Sequence, residues 1–148
     1  MSQVDRGEPK LIFPGLAGFY ATVSDLWYPL VRVTAGALLF VHGWNKMTGG
    51  VAGVTGFFEK AGFVPAAGFA YAAIFLETVG AICIVLGLFT RVFAAIIAIQ
   101  MAIITFVVMM PQGWARMELT FLWGIVMFAI ALRGGGPYSL DRVIGKHI

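Results

Sequence analysis

Cysteine is almost absent from this chain: Cys83 is the only one in 148 residues. One thiol closes no internal disulfide, and the sequence has no CxxC pair and no zinc spacing. Dithiol chemistry by this chain alone is therefore excluded, and Cys83, inside an apolar run, reads as a small packing residue. Histidine is nearly as scarce. Of His42 and His147, only the first lies in an apolar run, so a bis-histidine haem cannot be built within one chain. Neither haem nor metal is supported. No phosphate-binding loop and no nucleophile–base motif occurs. Charge is the third shortage. Asp, Glu, Lys and Arg make up 11% of the residues, against about 25% in soluble domains, so water is the wrong solvent for this surface. The net charge of +3 would suggest nucleic acid on a soluble chain. Here the basic residues flank apolar runs and read as topology determinants and anionic-lipid contacts, with no nucleic-acid partner.

What the chain has in abundance is apolar surface. Hydrophobic residues make up 60% and the mean hydropathy is +0.92. A helix crossing the hydrocarbon needs about 20 residues at about 1.5 Å each. Four stretches meet that length, roughly residues 28–47, 66–89, 92–110 and 114–132, the last with the shortest apolar part. The expected fold is all-α, an integral membrane four-helix bundle. The Gly-rich first connection carries Phe57, Phe58 and Phe63, and a short interfacial helix around Val54 to Ala61 would bury those rings. Residues 1–27 are expected as a cytoplasmic or interfacial lead-in. Pro14, Gly15, Gly18 and Asp25 interrupt it, which is not the pattern of a cleaved signal peptide. Residues 134–148 are expected as a cytoplasmic tail. Arg6, Lys10, Arg91, Arg133, Arg142 and Lys146 fall on one side and Lys46, Lys60 and Arg116 on the other. That bias predicts a multi-pass protein of the cell (inner) membrane with both termini in the cytoplasm.

Ionisable groups within the spans cost a few kcal/mol each and so call for partners or a function. By rise per residue, Arg32, Glu77 and Gln100 are expected to form one polar layer near the midplane, with Arg32 reaching Glu77. His42 and Lys46, at i and i+4, with Glu118 and Trp44, are expected to form a second layer nearer the outside. That second cluster suits a polar headgroup with which it exchanges protons. Each group also has a purely structural reading. Arg32 and Glu77 fix the register of the bundle as an ion pair, His42 packs at the interface, Lys46 snorkels, and Glu118 caps the fourth helix. Small residues line the expected contact faces: Ala73, Glu77, Gly80 and Ile84 share one stripe, and Arg32, Gly36, Leu39, Gly43 and Lys46 another.

Several segments in order resemble the DoxX family. The first span has Arg32 and then Phe40-Val41-His42-Gly43-Trp44-Asn45-Lys46, with Gly49 after it. Glu77-Thr78-Val79-Gly80-Ala81 resembles the second signature, and Leu86-Gly87-Leu88-Phe89-Thr90-Arg91 with Ala94 the third. Gly136-Pro137-Tyr138-Ser139-Leu140-Asp141 resembles the family ending. Members resemble the small membrane subunit of a thiosulfate:quinone oxidoreductase. The resemblance implies a four-helix membrane bundle working near the quinone pool.

Three functions stand as alternatives. The first is a quinone-linked oxidoreductase, or the membrane subunit of a redox complex with a soluble redox partner. His42, Lys46 and Glu118 would then act on the headgroup, with Trp44 beside it, and quinone would be the cofactor. The second is a non-enzymatic scaffold, assembling with itself or docking a partner through the tail. The third is transport of protons or a small solute, for which charges at mid-depth are also required.

Overall fold

Glycine, proline and the polar turns between apolar runs set the helix ends in the computed structural model, which describes residues 12–145. Arg6, Lys10, Lys146 and His147 lie outside the described residues. A short helix α1 (Ala17–Val23) buries none of its residues and leaves Phe19 and Tyr20 exposed. Helix α2 (Trp27–Thr48) comes next, then α3 (Val51–Lys60), α4 (Ala66–Leu86), α5 (Thr90–Gln112), α6 (Trp114–Arg133) and a final turn α7 (Leu140–Ile144). Among the described residues there is no strand. The protein is an all-α membrane four-helix bundle of α2, α4, α5 and α6, with α3 as the short helix of the first loop.

Helices α4, α5 and α6 are long and apolar enough to cross a membrane. Helix α2 has 22 residues, or about 33 Å, and so has the length, but Arg32, His42, Asn45 and Lys46 make it less apolar. Its polar residues are accommodated by neighbours. One side of α2 is buried as Tyr28, Arg32, Ala35, Gly36, Leu39 and Gly43. That face meets Ala81 and Ile84 of α4, Ala94, Ile97 and Met101 of α5, and Met127 and Ile130 of α6 in one core. A second core joins Phe58 of α3 to Ala66, Ala70 and Ala73 of α4, so α3 is docked on the bundle by its rings. Helix α6 is the least enclosed. Only 11% of its most apolar stretch is buried, against 39% in α4 and 33% in α5, so most of its surface is left outside the bundle core.

Helix α4 ends before the apolar run does. The sequence suggested an end near Phe89, but Gly87 adopts φ 69°, ψ 41°. The Leu88 N–H then donates to the Cys83 carbonyl at 2.9 Å and the Gly87 N–H to Ile84 at 3.2 Å, the paired bonds of a Schellman stop. A side chain at Gly87 would also collide with Arg32 Nη1 and with Ser139. Two wide π-helical turns interrupt the long helices, Leu76–Gly80 in α4 and Ile104–Met109 in α5. Turns of this kind leave backbone carbonyls less constrained and recur at functional sites.

Candidate functional site

Glu77 sits in the first of these π-turns and is 1% exposed. Lys46, near the end of α2, donates to both of its oxygens, at 2.5 Å and 2.7 Å. Gln100 of α5 donates its amide to Glu77 Oε1 at 2.8 Å. The carboxylate is thus held by three helices at once. Contact at this level is close because Gly43, one turn before Lys46, lies directly on the Glu77 backbone, where a Cβ would meet the Glu77 carbonyl. An alanine there must drive α2 and α4 apart. We expect Gly43→Ala to destabilise the protein by about 1–3 kcal/mol, read as a lower melting temperature in mild detergent. Gly56→Ala on α3, where nothing lies within 4 Å, serves as the neutral comparison.

Beside this ion pair lies a cavity of about 370 Å³, within the range of small-molecule sites. Its walls are mostly apolar, with Leu39, Phe57, Phe58, Met101, Ile104 and Trp123 among them, and His42, Lys46 and Glu77 form the polar side. Helix α3 closes one flank through Val54 and its rings. The His42 ring meets Trp123 edge-on, with centroids 6.5 Å apart. Lys46 keeps a third of its side chain exposed while Glu77 is sealed behind it. The pair is neutral overall, so the wall offers an ammonium and an imidazole to a bound molecule without a net charge to balance. Thr120 also lines the cavity, and its hydroxyl accepts from Thr105 at 2.9 Å.

Members of both polar layers expected from depth meet here: Lys46 and His42 from the outer one, Glu77 and Gln100 from the midplane one. Glu77 and Gln100 come together, but Arg32 does not join them. In the antiparallel register of α2 on α4, Gly43 faces Glu77 while Gly36 faces Ala81 and Val85. Arg32 is eleven residues before Gly43, about 16 Å along the axis, at the other end of α4. There it is 1% exposed and donates to the carbonyls of Ile84 at 2.7 Å, Val85 at 2.9 Å and Tyr138 at 2.9 Å. The first two are carbonyls at the end of α4, and that of Ile84 also accepts the Gly87 N–H of the helix stop. Glu118 is likewise corrected. It is exposed and does not line the cavity, because the inward face of α6 runs through Thr120, Trp123, Met127 and Ile130. It also makes no capping bond at the start of α6. Trp44 is exposed and stacks on Phe40 at 6.0 Å, outside the cavity. The indole that does line the cavity is Trp123, which the sequence reading missed. It shares one helical stripe with Thr120 and Met127, and that stripe is marked as inward only by the helices packed against it.

A buried ion pair inside a helical membrane bundle, opening on an apolar cavity, defines the class. Within that class the chain belongs to the DoxX family, whose model matches residues 28–110. The match takes in His42, Lys46, Glu77 and Gln100, but stops short of Trp123 and the tail. The chain is also similar to a protein of Bacillus subtilis (strain 168) named "Putative oxidoreductase CatD", with 31% identity over 119 residues, 79% of this chain and 86% of that one. No solved structure matches the chain.

Proposed function

We propose that the cavity binds a quinone headgroup and that the protein works as a quinone-linked oxidoreductase or as the membrane subunit of a redox complex. The observation that carries this reading is the Lys46–Glu77 pair with His42 as the polar wall of an otherwise oily cavity inside the bundle. A quinone ring needs apolar walls, a donor at its carbonyl and a source of protons. Bound there, a quinone supplies the two-electron, two-proton chemistry. Lys46 Nζ donates a hydrogen bond toward a carbonyl oxygen. His42, the imidazole on the same wall, would pass a proton to or from the bound headgroup. Glu77 holds Lys46 in place, and Gln100 fixes the carboxylate. The single cysteine leaves this chain no dithiol of its own, so a soluble or membrane partner is the electron donor. In this reading the protein lies in the cell (inner) membrane with both termini cytoplasmic. The name of the similar B. subtilis protein supports redox chemistry of some kind.

The test is titration of detergent-solubilised protein with a decyl-tailed benzoquinone, monitored by quenching of tryptophan fluorescence. Saturable quenching is expected, much of it lost in Trp123→Phe. His42→Ala should weaken binding about fivefold, the worth of one neutral hydrogen bond of about 1 kcal/mol. Equal affinity in that variant removes His42 from the site, and an absence of saturable binding in the wild type ends the proposal.

A further inference from the structure

We propose that the groove between α5 and α6 holds one acyl chain of an anionic phospholipid, with its headgroup paired to Arg91. The groove measures about 570 Å³, larger than the cavity beside Glu77, and it lies on the opposite side of the Thr105–Thr120 hydroxyl pair. Its floor is made of small side chains, Ala95, Ala98, Ala102 and Gly124, and its banks of Phe106, Phe121 and other large apolar residues. From Arg91 to Phe106 it runs along fifteen residues of α5, about 22 Å.

The lining decides the occupant. The groove is long and apolar, and its one charged lining residue, Arg91, stands at its end, so it suits a hydrocarbon chain that carries an anionic headgroup.

The charge at its end sets the headgroup. Arg91 lines the groove at the first turn of α5, lying against Gly134. Among the described residues no carboxylate comes within ion-pair distance of it. The nearby carboxylate, Asp141, commits both oxygens to Phe89 and Thr90. Arg133, at the same end, lies over the Trp27 and Tyr28 rings. This end of the bundle is therefore basic, and a basic side chain between helices at the membrane boundary suits an anionic headgroup.

The experiment titrates delipidated protein in dodecyl maltoside with palmitoyl-oleoyl phosphatidylglycerol or the matching phosphatidylcholine, reading the rise in melting temperature. Wild type should reach half-saturation with the anionic lipid at a concentration at least fivefold lower than with the zwitterionic one. Arg91→Gln should abolish that preference, Arg91→Lys should keep it, and Arg142→Gln, a basic residue outside the groove, should leave it unchanged. Ala102→Phe, at an exposed position, fills the groove and should weaken both lipids about tenfold. Retained preference in Arg91→Gln, equal loss in Arg142→Gln, or wild-type binding in Ala102→Phe overturns the proposal. So does an equal shift with inorganic phosphate alone, which would make the occupant a free anion. A change from dimer to monomer in Ala102→Phe without loss of lipid would make the groove a contact between copies, and would also overturn it.

Discussion

Lys46→Met should destabilise the bundle by about 3 kcal/mol, and Lys46→Met combined with Glu77→Leu should recover most of that loss. The single change leaves a carboxylate that is 1% exposed with only the Gln100 amide as a partner. Breaking a buried pair by removing one member costs about 3–5 kcal/mol, because the remaining charge is uncompensated. Lys46, a third exposed, places the pair at the lower end of that range. Replacing both members by apolar side chains removes the uncompensated charge, and such replacements are often neutral or better. The double variant is therefore expected within about 1 kcal/mol of wild type, an interaction energy far outside simple additivity. Denaturation of wild type, Lys46→Met, Glu77→Leu alone and the double variant in a mixed-micelle titration measures it. Additive losses would mean that the contact between Lys46 and Glu77 contributes little. The double variant also separates architecture from chemistry. It should fold, yet it presents no ammonium to the cavity, so under the proposed function its quinone affinity should fall at least as far as that of His42→Ala.

Much of this arrangement could be read from the sequence. The stripe of Gly36, Leu39, Gly43 and Lys46 on α2 and that of Ala73, Glu77 and Gly80 on α4 identify the faces that meet, since small residues permit close approach. Glu77 and Gln100 fall at similar depth because α4 and α5 are joined by a tight turn, which leaves little freedom of register. Arg32 was misplaced for the opposite reason. The connection from α2 to α4 is long and contains α3, so sequence alone leaves the slide of α2 along α4 open, and depth counted from span ends carries that error. Local packing sets the slide instead, with Gly43 seated directly on the Glu77 backbone. Glu118 failed on rotation. Helix α6 buries little of itself, and its hydrophobic pattern is nearly uniform, so the inward stripe through Thr120, Trp123 and Met127 emerges only when the neighbours are in place. The two π-turns leave no pattern in the hydrophobicity, since each rotates the remainder of its helix by only a fraction of a turn.

Loss of the Asp141 carboxylate should unlock the end of the bundle opposite the cavity, and Asp141→Ala is expected to cost about 3 kcal/mol. This residue is 5% exposed although it lies in the tail. Its oxygens accept from the Phe89 N–H at 2.7 Å, the Thr90 N–H at 3.0 Å and the Thr90 hydroxyl at 2.8 Å. Its own N–H donates to the Gly87 carbonyl at 2.9 Å. The carboxylate thus caps the start of α5 from a distant part of the chain, where negative charge also suits the helix dipole. Phe89 needs that support, because it holds φ 47°, a region unfavourable for a bulky side chain. Hydrogen bonds to a charged group contribute about 1.5–3 kcal/mol each, and stranded donors add their desolvation, though bonds within one cluster do not sum. Asp141→Asn keeps one acceptor and the side-chain shape, so about half the loss is expected. Arg32 holds the same turn from the other side through Ile84, Val85 and Tyr138. The motif from Gly136 to Asp141 therefore acts as a clasp that joins the α4–α5 turn to α2. Melting temperatures in detergent rank the variants, and deletion of residues 134–148 should lower stability at least as far as Asp141→Ala. If the deletion melts with the wild type, the clasp carries no stability. If only Asp141→Ala is silent, Arg32 and Tyr138 hold the turn without the carboxylate.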